Sequence, residues 1–197
     1  MPRVAGQIDE AKTEAILEAA SRLIHERGAA VSMEAIAREA GVSKQTLYNR
    51  FPSKLEVARA LAARRSEAVT QPLRTGGDPE AVLTAFALGL LEKVREGHHG
   101  PSLRNVALMS PEVPDLAEAV YDAGPAEGLR RLADWLAIQT REGRLATPDP
   151  LAAAEMFAGM TLGHAHLRAV LGVPQPPIDA TERARETAQR FLRAFGP

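Results

Sequence analysis

Between Val31 and Lys54 the chain reads VSMEAIAREAGVSKQTLYNRFPSK, two short helical periods with a glycine between them. Leu47 and Phe51 stand four residues apart, the spacing of one helix face. At about 100° per residue, that face sends Gln45 and Asn49 to the opposite side, with Thr46 and Tyr48 on the flanks. Ahead of the glycine, Ile36 supplies an apolar anchor, and Ala37 is small enough to let two helices cross closely. Gly41 can take the left-handed backbone that a sharp turn requires. Ser32 and Ser43 are placed as N-caps, and Val31 with Ile36 and Val42 with Leu47 as hydrophobic staples. Ile36, Val42 and Leu47 then share one core, and the sequence predicts a helix-turn-helix.

The remaining segments fit the same class. Asp9 to Arg27 carries Ile16, Ala19, Ala20, Leu23 and Ile24 at helical period, and Gly28 supplies a stop. Ser53 opens a fourth helix, with Glu56 at the capping-box position, running to about Val69. The breaker-rich tract QPLRTGGDPE (71–80) marks a boundary, so residues 1–70 form one unit and 71–197 a second. Further helices are expected near Pro79–Arg95, Pro101–Leu108, Pro114–Tyr121 continuing through Gly128–Arg141, Pro150–Leu171 and Asp179–Phe195. No segment alternates apolar and polar residues with β-branched enrichment, and the apolar side is mostly Ala and Leu with only 4% aromatics. An all-α fold follows.

The chain has no cysteine, which excludes disulfides and thiolate metal sites. No apolar run approaches the roughly 18 residues of a membrane span, and the first residues lack a signal-peptide core. A cytoplasmic protein without membrane association is expected. Net charge is −1, yet residues 38–65 hold seven cations (Arg38, Lys44, Arg50, Lys54, Arg59, Arg64, Arg65) against two acids. A basic patch on a nearly neutral chain reads as one binding surface. Gln45 and Asn49 are side chains that pair bidentately with adenine in the major groove, and Thr46 can touch a thymine methyl or a phosphate. Lys44, at the capped start of the third helix, and Lys54, at the start of the fourth, suit phosphates. The third helix is therefore a candidate recognition helix.

The segments AILEAASRLIHERG and VSMEAIAREAGVSKQTLYNRFPSK, with the fourth helix, resemble the TetR/AcrR family of bacterial transcription regulators over about residues 10–65. The second unit, through LAEAVYDAGPAEGLRRLADWLAIQTREGRL, resembles one C-terminal subtype of that family. The resemblance implies an N-terminal three-helix helix-turn-helix domain that binds a double-stranded DNA operator. It implies a larger C-terminal helical domain for ligand binding and homodimerisation, and a repressor released by a small-molecule effector. Carried over by position, Lys44, Gln45, Thr46, Tyr48 and Asn49 become operator contacts, Lys54 a phosphate contact, and Leu47 and Phe51 core. Many family members have glycine where this chain has Gln45, which points to a base contact particular to this protein.

In the second unit, Gly159 and Gly163 are four apart and share a face with Met156, so another helix can approach closely there. Packing within the chain would account for that row, but the family resemblance implies a two-fold contact made by the last two helices, which would use Met156, Gly159, Gly163, Ala184, Ala188 and Phe191. An effector site between the middle helices would be lined by Phe86, Leu103, Met109, Tyr121, Leu132, Trp135, Met160 and His164. Trp135 and His164 carry polar atoms that need partners when buried. The histidine pairs His98-His99 and His164-x-His166 lack the i, i+4 spacing of a helical zinc site, and no nucleophile–base pair or phosphate-cradling loop is present. No metal, cofactor or catalysis is expected. The alternative reading is a helical module that binds a small molecule or protein and has no DNA function.

Overall fold

A computed structural model of the chain describes residues 5–95 and 114–197. The expected helix over 101–108, with Leu103 and Met109, and the pair His98-His99 lie outside the described residues. Every regular element among the described residues is helical. In chain order they are α1 (Ala5–Arg27), a single 3-10 turn (Gly28–Ala30), α2 (Met33–Glu39), α3 (Lys44–Arg50), α4 (Lys54–Thr70), the short α5 (Pro72–Thr75) and α6 (Pro79–Arg95). After the undescribed stretch come α7 (Pro114–Tyr121), a π-helical turn (Asp122–Ala126), α8 (Glu127–Arg141), α9 (Pro150–Leu162), α10 (Ala165–Leu171) and α11 (Ala180–Ala194). Pro79 and Pro150 stand at helix starts, where a missing N–H costs nothing. Pro125 sits inside the π turn.

Two clusters of buried side chains organise these helices. The first gathers Ile16, Leu23, Ile24, Val31, Ile36, Leu47, Phe51, Val57 and Leu61 from α1 to α4. The second gathers Val69, Leu83, Phe86, Leu132, Trp135, Phe157 and Phe191, among others, from α4 to α11. Three rings stack through its middle: Phe157 meets Phe191 edge-on at 5.1 Å, and Phe191 lies 4.6 Å from Phe195. Such pairs add about 0.5–1.5 kcal/mol beyond their buried area.

α4 contributes to both clusters, Val57 and Leu61 to the first and Val69 to the second. Its upper half is fixed against the π turn and α8. A Cβ on Gly124 would stand 3.4 Å from Ala62 Cβ, so the glycine lets the turn lie directly on α4. Arg131 on α8 reaches across to Thr70 Oγ1 at 3.0 Å and to the Glu67 carboxylate.

The helix expected over Pro150–Leu171 is broken. Gly163 has φ +50 and caps α9, donating its N–H to the Gly159 carbonyl at 2.8 Å. Glycine accepts that left-handed backbone without a Cβ clash, so the chain turns and α10 starts at Ala165. Gly163 is thus a helix terminator, where its spacing from Gly159 suggested a packing groove.

Candidate nucleic-acid interface

Local hydrogen bonds build the helix pair before any tertiary contact. Ser32 Oγ accepts from Ala35 N–H at 3.2 Å, Ser43 Oγ from Thr46 N–H at 3.0 Å and Ser53 Oγ from Glu56 N–H at 3.3 Å. The capping box at Ser53 forms by half, because the Glu56 carboxylate turns instead to Arg59 at 3.1 Å. At the turn, Gly41 has φ +66. Val42 N–H reaches the Ala37 carbonyl at 3.0 Å and Gly41 N–H the Arg38 carbonyl at 3.2 Å. That pair of bonds is a Schellman stop, and it delivers Val42 back onto the core.

Leu47 is fully buried and Phe51 nearly so, which fixes the rotation of α3 about its axis. Lys44, Gln45, Tyr48 and Asn49 are consequently exposed, and Thr46 is half-buried. Thr46 Oγ1 and Ser43 Oγ share a hydrogen bond at 2.8 Å. Gln45 Nε2 donates to Asn49 Oδ1 at 2.7 Å. Lys44 Nζ pairs with Glu34 on α2 at 3.6 Å, and this lysine, after a backbone hydrogen bond, holds the Glu34 carboxyl below the usual range. Lys54 is half-buried at the start of α4, and burial lowers its pKa. The structure thus places Lys44, Gln45, Tyr48 and Asn49 together on one open face, with Thr46 and Lys54 at its margin.

The basic patch is smaller than the charge count over residues 38–65. Glu34 and Glu14, both outside that segment, pair with Lys44 and Arg64. Arg50 donates to Thr13 Oγ1 on α1 at 2.6 Å and so braces α3 from behind. Arg65 is partly buried on α4, and its Nη2 is shielded from solvent without a hydrogen-bond partner. Sequence reading missed Glu34 and Thr13 because nothing in local spacing links them to α3.

Among the described residues the candidate effector residues divide between the core and the surface. Phe86, Leu132 and Trp135 are buried in the second cluster. Tyr121, Met160 and His164 are exposed instead, Tyr121 by 54%. Met160 and His164 point away because α9 turns its Ala153–Ala154–Phe157 face inward and then stops at Gly163. An open groove lined by Glu80, Gln189, Leu192 and Arg193 lies elsewhere, between α6 and α11. Among the described residues no group of His, Cys, Asp and Glu could hold a metal ion.

The residues expected at the two-fold contact divide between the core and the surface. Ala184, Ala188 and Phe191 are fully buried in the chain's own core, because α11 lays that face against α6 and Phe157. Its outer face carries Glu182, Arg185 and Arg190. Met156 and Gly159 are exposed on α9 together with Leu151 and Met160, and Leu167 and Leu171 are exposed on α10.

Two family models match. Residues 16–61 match the one described as bacterial regulatory proteins of the tetR family, and residues 81–197 the one described as an AefR-like transcriptional repressor C-terminal domain. No curated protein gives a significant match. Among solved structures, the chain is similar to a TetR-family transcriptional regulator from Mesorhizobium loti, with TM-score 0.77, 27% identity and coverage of 96% of this chain and 98% of that one. It is similar to the flavonoid-responsive regulator FrrA at 32% identity and TM-score 0.66, covering 98% and 99% of the two chains. A TetR regulator from Agrobacterium tumefaciens shares the fold at 23% identity and TM-score 0.71, over 94% of each chain. With both units matched and the helix-turn-helix built as described, the chain belongs to the TetR family of transcription regulators, with an N-terminal helix-turn-helix DNA-binding domain.

Proposed function

We propose that the protein is a homodimeric, one-component repressor that grips a palindromic operator with two copies of α3 and lets go when a small hydrophobic compound binds. Residues 1–70 read DNA, and 71–197 bind effector and partner. The observation that carries this reading is the open amide face of α3, held outward by buried Leu47 and Phe51. Gln45 and Asn49 read base edges, Tyr48 and Thr46 lie against the backbone, and Lys44 and Lys54 neutralise phosphates. The matched description of an AefR-like repressor domain supports repression over activation. A flavonoid-responsive relative at 32% identity supports an aromatic effector, seated near Phe86, Leu132 and Trp135. The exposed apolar residues of α9 around Met156 and Gly159 support a two-fold contact there.

Selection of bound sequences from a random duplex library tests the DNA assignment. Two inverted half-sites, one helical turn or a multiple apart (roughly 34–36 Å), are expected. Lys54→Ala should weaken every sequence about equally and flatten the salt dependence by about one unit. Failure to enrich any sequence, with no binding even at low salt, overturns the assignment.

A further inference from the structure

Gln45 and Asn49 are bonded to each other on the exposed face of α3, Gln45 Nε2 donating to Asn49 Oδ1 at 2.7 Å. The four-residue spacing stacks them along the helix, so the bond needs no distortion. A glutamine amide carries two N–H donors and a carbonyl with two lone pairs. With one N–H given to Asn49, Gln45 keeps one N–H and its whole carbonyl. Those are the two groups that meet adenine N7 and N6–H in the major groove. Asn49 keeps both N–H donors and one lone pair, a donor-rich remainder suited to acceptors such as guanine N7 and O6 or thymine O4. The neighbouring polar groups are engaged elsewhere, Lys44 with Glu34 and Thr46 with Ser43. An exposed glutamine is otherwise among the side chains with most rotamer freedom to lose, and fixing it before DNA arrives lowers that cost.

We infer that Gln45 and Asn49 read the operator as one hydrogen-bonded unit, in which Asn49 positions Gln45 for adenine and spends its own free N–H groups on an acceptor of a neighbouring base pair. The inference rests on the DNA-reading role of α3 proposed above. It differs from two independent amide–adenine contacts in a measurable way: losing Asn49 must damage recognition at the base pair that Gln45 touches.

The test is library selection with the full-length wild type and with Gln45→Ala, Asn49→Ala, Asn49→Asp and the double alanine variant. Thermal melts serve to confirm folding, which exposed positions should leave intact. Gln45→Ala identifies the base pair that Gln45 reads. At that pair, Asn49→Ala should lose adenine preference roughly tenfold, the double variant should lose no more than Gln45→Ala alone, and Asn49→Asp should keep the preference. Asp retains the acceptor that orients Gln45, while its charge weakens overall affinity, so preference and affinity separate. Unchanged adenine preference in Asn49→Ala overturns the inference, as does equal loss in Asn49→Ala and Asn49→Asp. A wild type that selects nothing overturns the interface and the pair with it. A wild-type motif that Asn49→Ala leaves intact overturns the pair alone.

Discussion

Arg65 shows how far a residue's setting can depart from its type. In the sequence it is one more cation of a basic patch. In the fold it lies partly buried on α4, Nη2 has no hydrogen-bond partner, and burial pushes its pKa down. Ser66 beside it buries an unpartnered Oγ near Gly128. An unsatisfied buried donor costs about 1–3 kcal/mol, and truncating it can stabilise the fold. Arg65→Met keeps an aliphatic stem of similar length and removes the guanidinium. Stability is expected to rise by about 1 kcal/mol, read as a higher melting temperature at neutral pH. A fall of that size would mean that the guanidinium finds a partner in solution. Leu47 is the opposite case, since its spacing from Phe51 already assigned it to the core, and it is fully buried.

At the scale of elements, α3 was readable almost completely and α9 only in part. Caps, staples and the glycine of α3 act within a few residues, so its limits and its exposed face follow from local chemistry. Gly159 and Gly163 look equivalent by spacing, yet only Gly163 takes a left-handed backbone and ends the helix. Gly159 is exposed inside α9, and a Cβ there meets nothing within 4 Å. It therefore offers a clean probe of the proposed contact between copies. Gly159→Arg should favour the helix, since glycine costs about 0.8–1.0 kcal/mol relative to alanine. The single chain should then be no less stable while a bulky charge sits in the two-fold contact. Sedimentation is expected to show monomers, with the melting temperature falling only by the part that association contributed and losing its dependence on protein concentration. A dimer that survives Gly159→Arg would place the contact away from α9. Gly163→Leu would be a poorer probe, because at φ +50 it strains the break itself.

For the whole molecule, α4 is the element through which the proposed effector site can act on the reading helix. Its lower half shares a core with α3, and its upper half is held by Gly124, Arg131 and Val69. A compound that displaces α4 from the π turn and α8 would change the separation of the two reading heads. It can do so only by preferring the released conformation, and couplings of this kind are typically about 1–3 kcal/mol, or 5–150-fold. Trp135 is the only tryptophan and lies buried in the second cluster, so its fluorescence can follow binding of aromatic compounds. Each compound that binds is expected to lose affinity, when operator is present, by the same factor by which it weakens DNA binding. Equal affinity with and without operator would mark a compound that occupies the protein without inducing it.

The amino-acid sequence by itself determined the helical class, the helix-turn-helix, its caps and the outward amide face of α3. These rest on hydrogen bonds and side-chain periods spanning five residues or fewer, which any local stretch carries in full. Tertiary structure alone decided which apolar faces meet within the chain. Ala184, Ala188 and Phe191 turn inward onto α6 and Phe157, whereas Met156, Leu167 and Leu171 stay exposed. Helical spacing shows that a face is apolar, and the same spacing serves a core, an effector site or a second copy. It also decided the charge of the patch, since Glu14 and Glu34 reach Arg64 and Lys44 only when α1 and α2 fold against their neighbours. Burial and ion pairing are properties of the neighbour that arrives in space, and no local period encodes that neighbour.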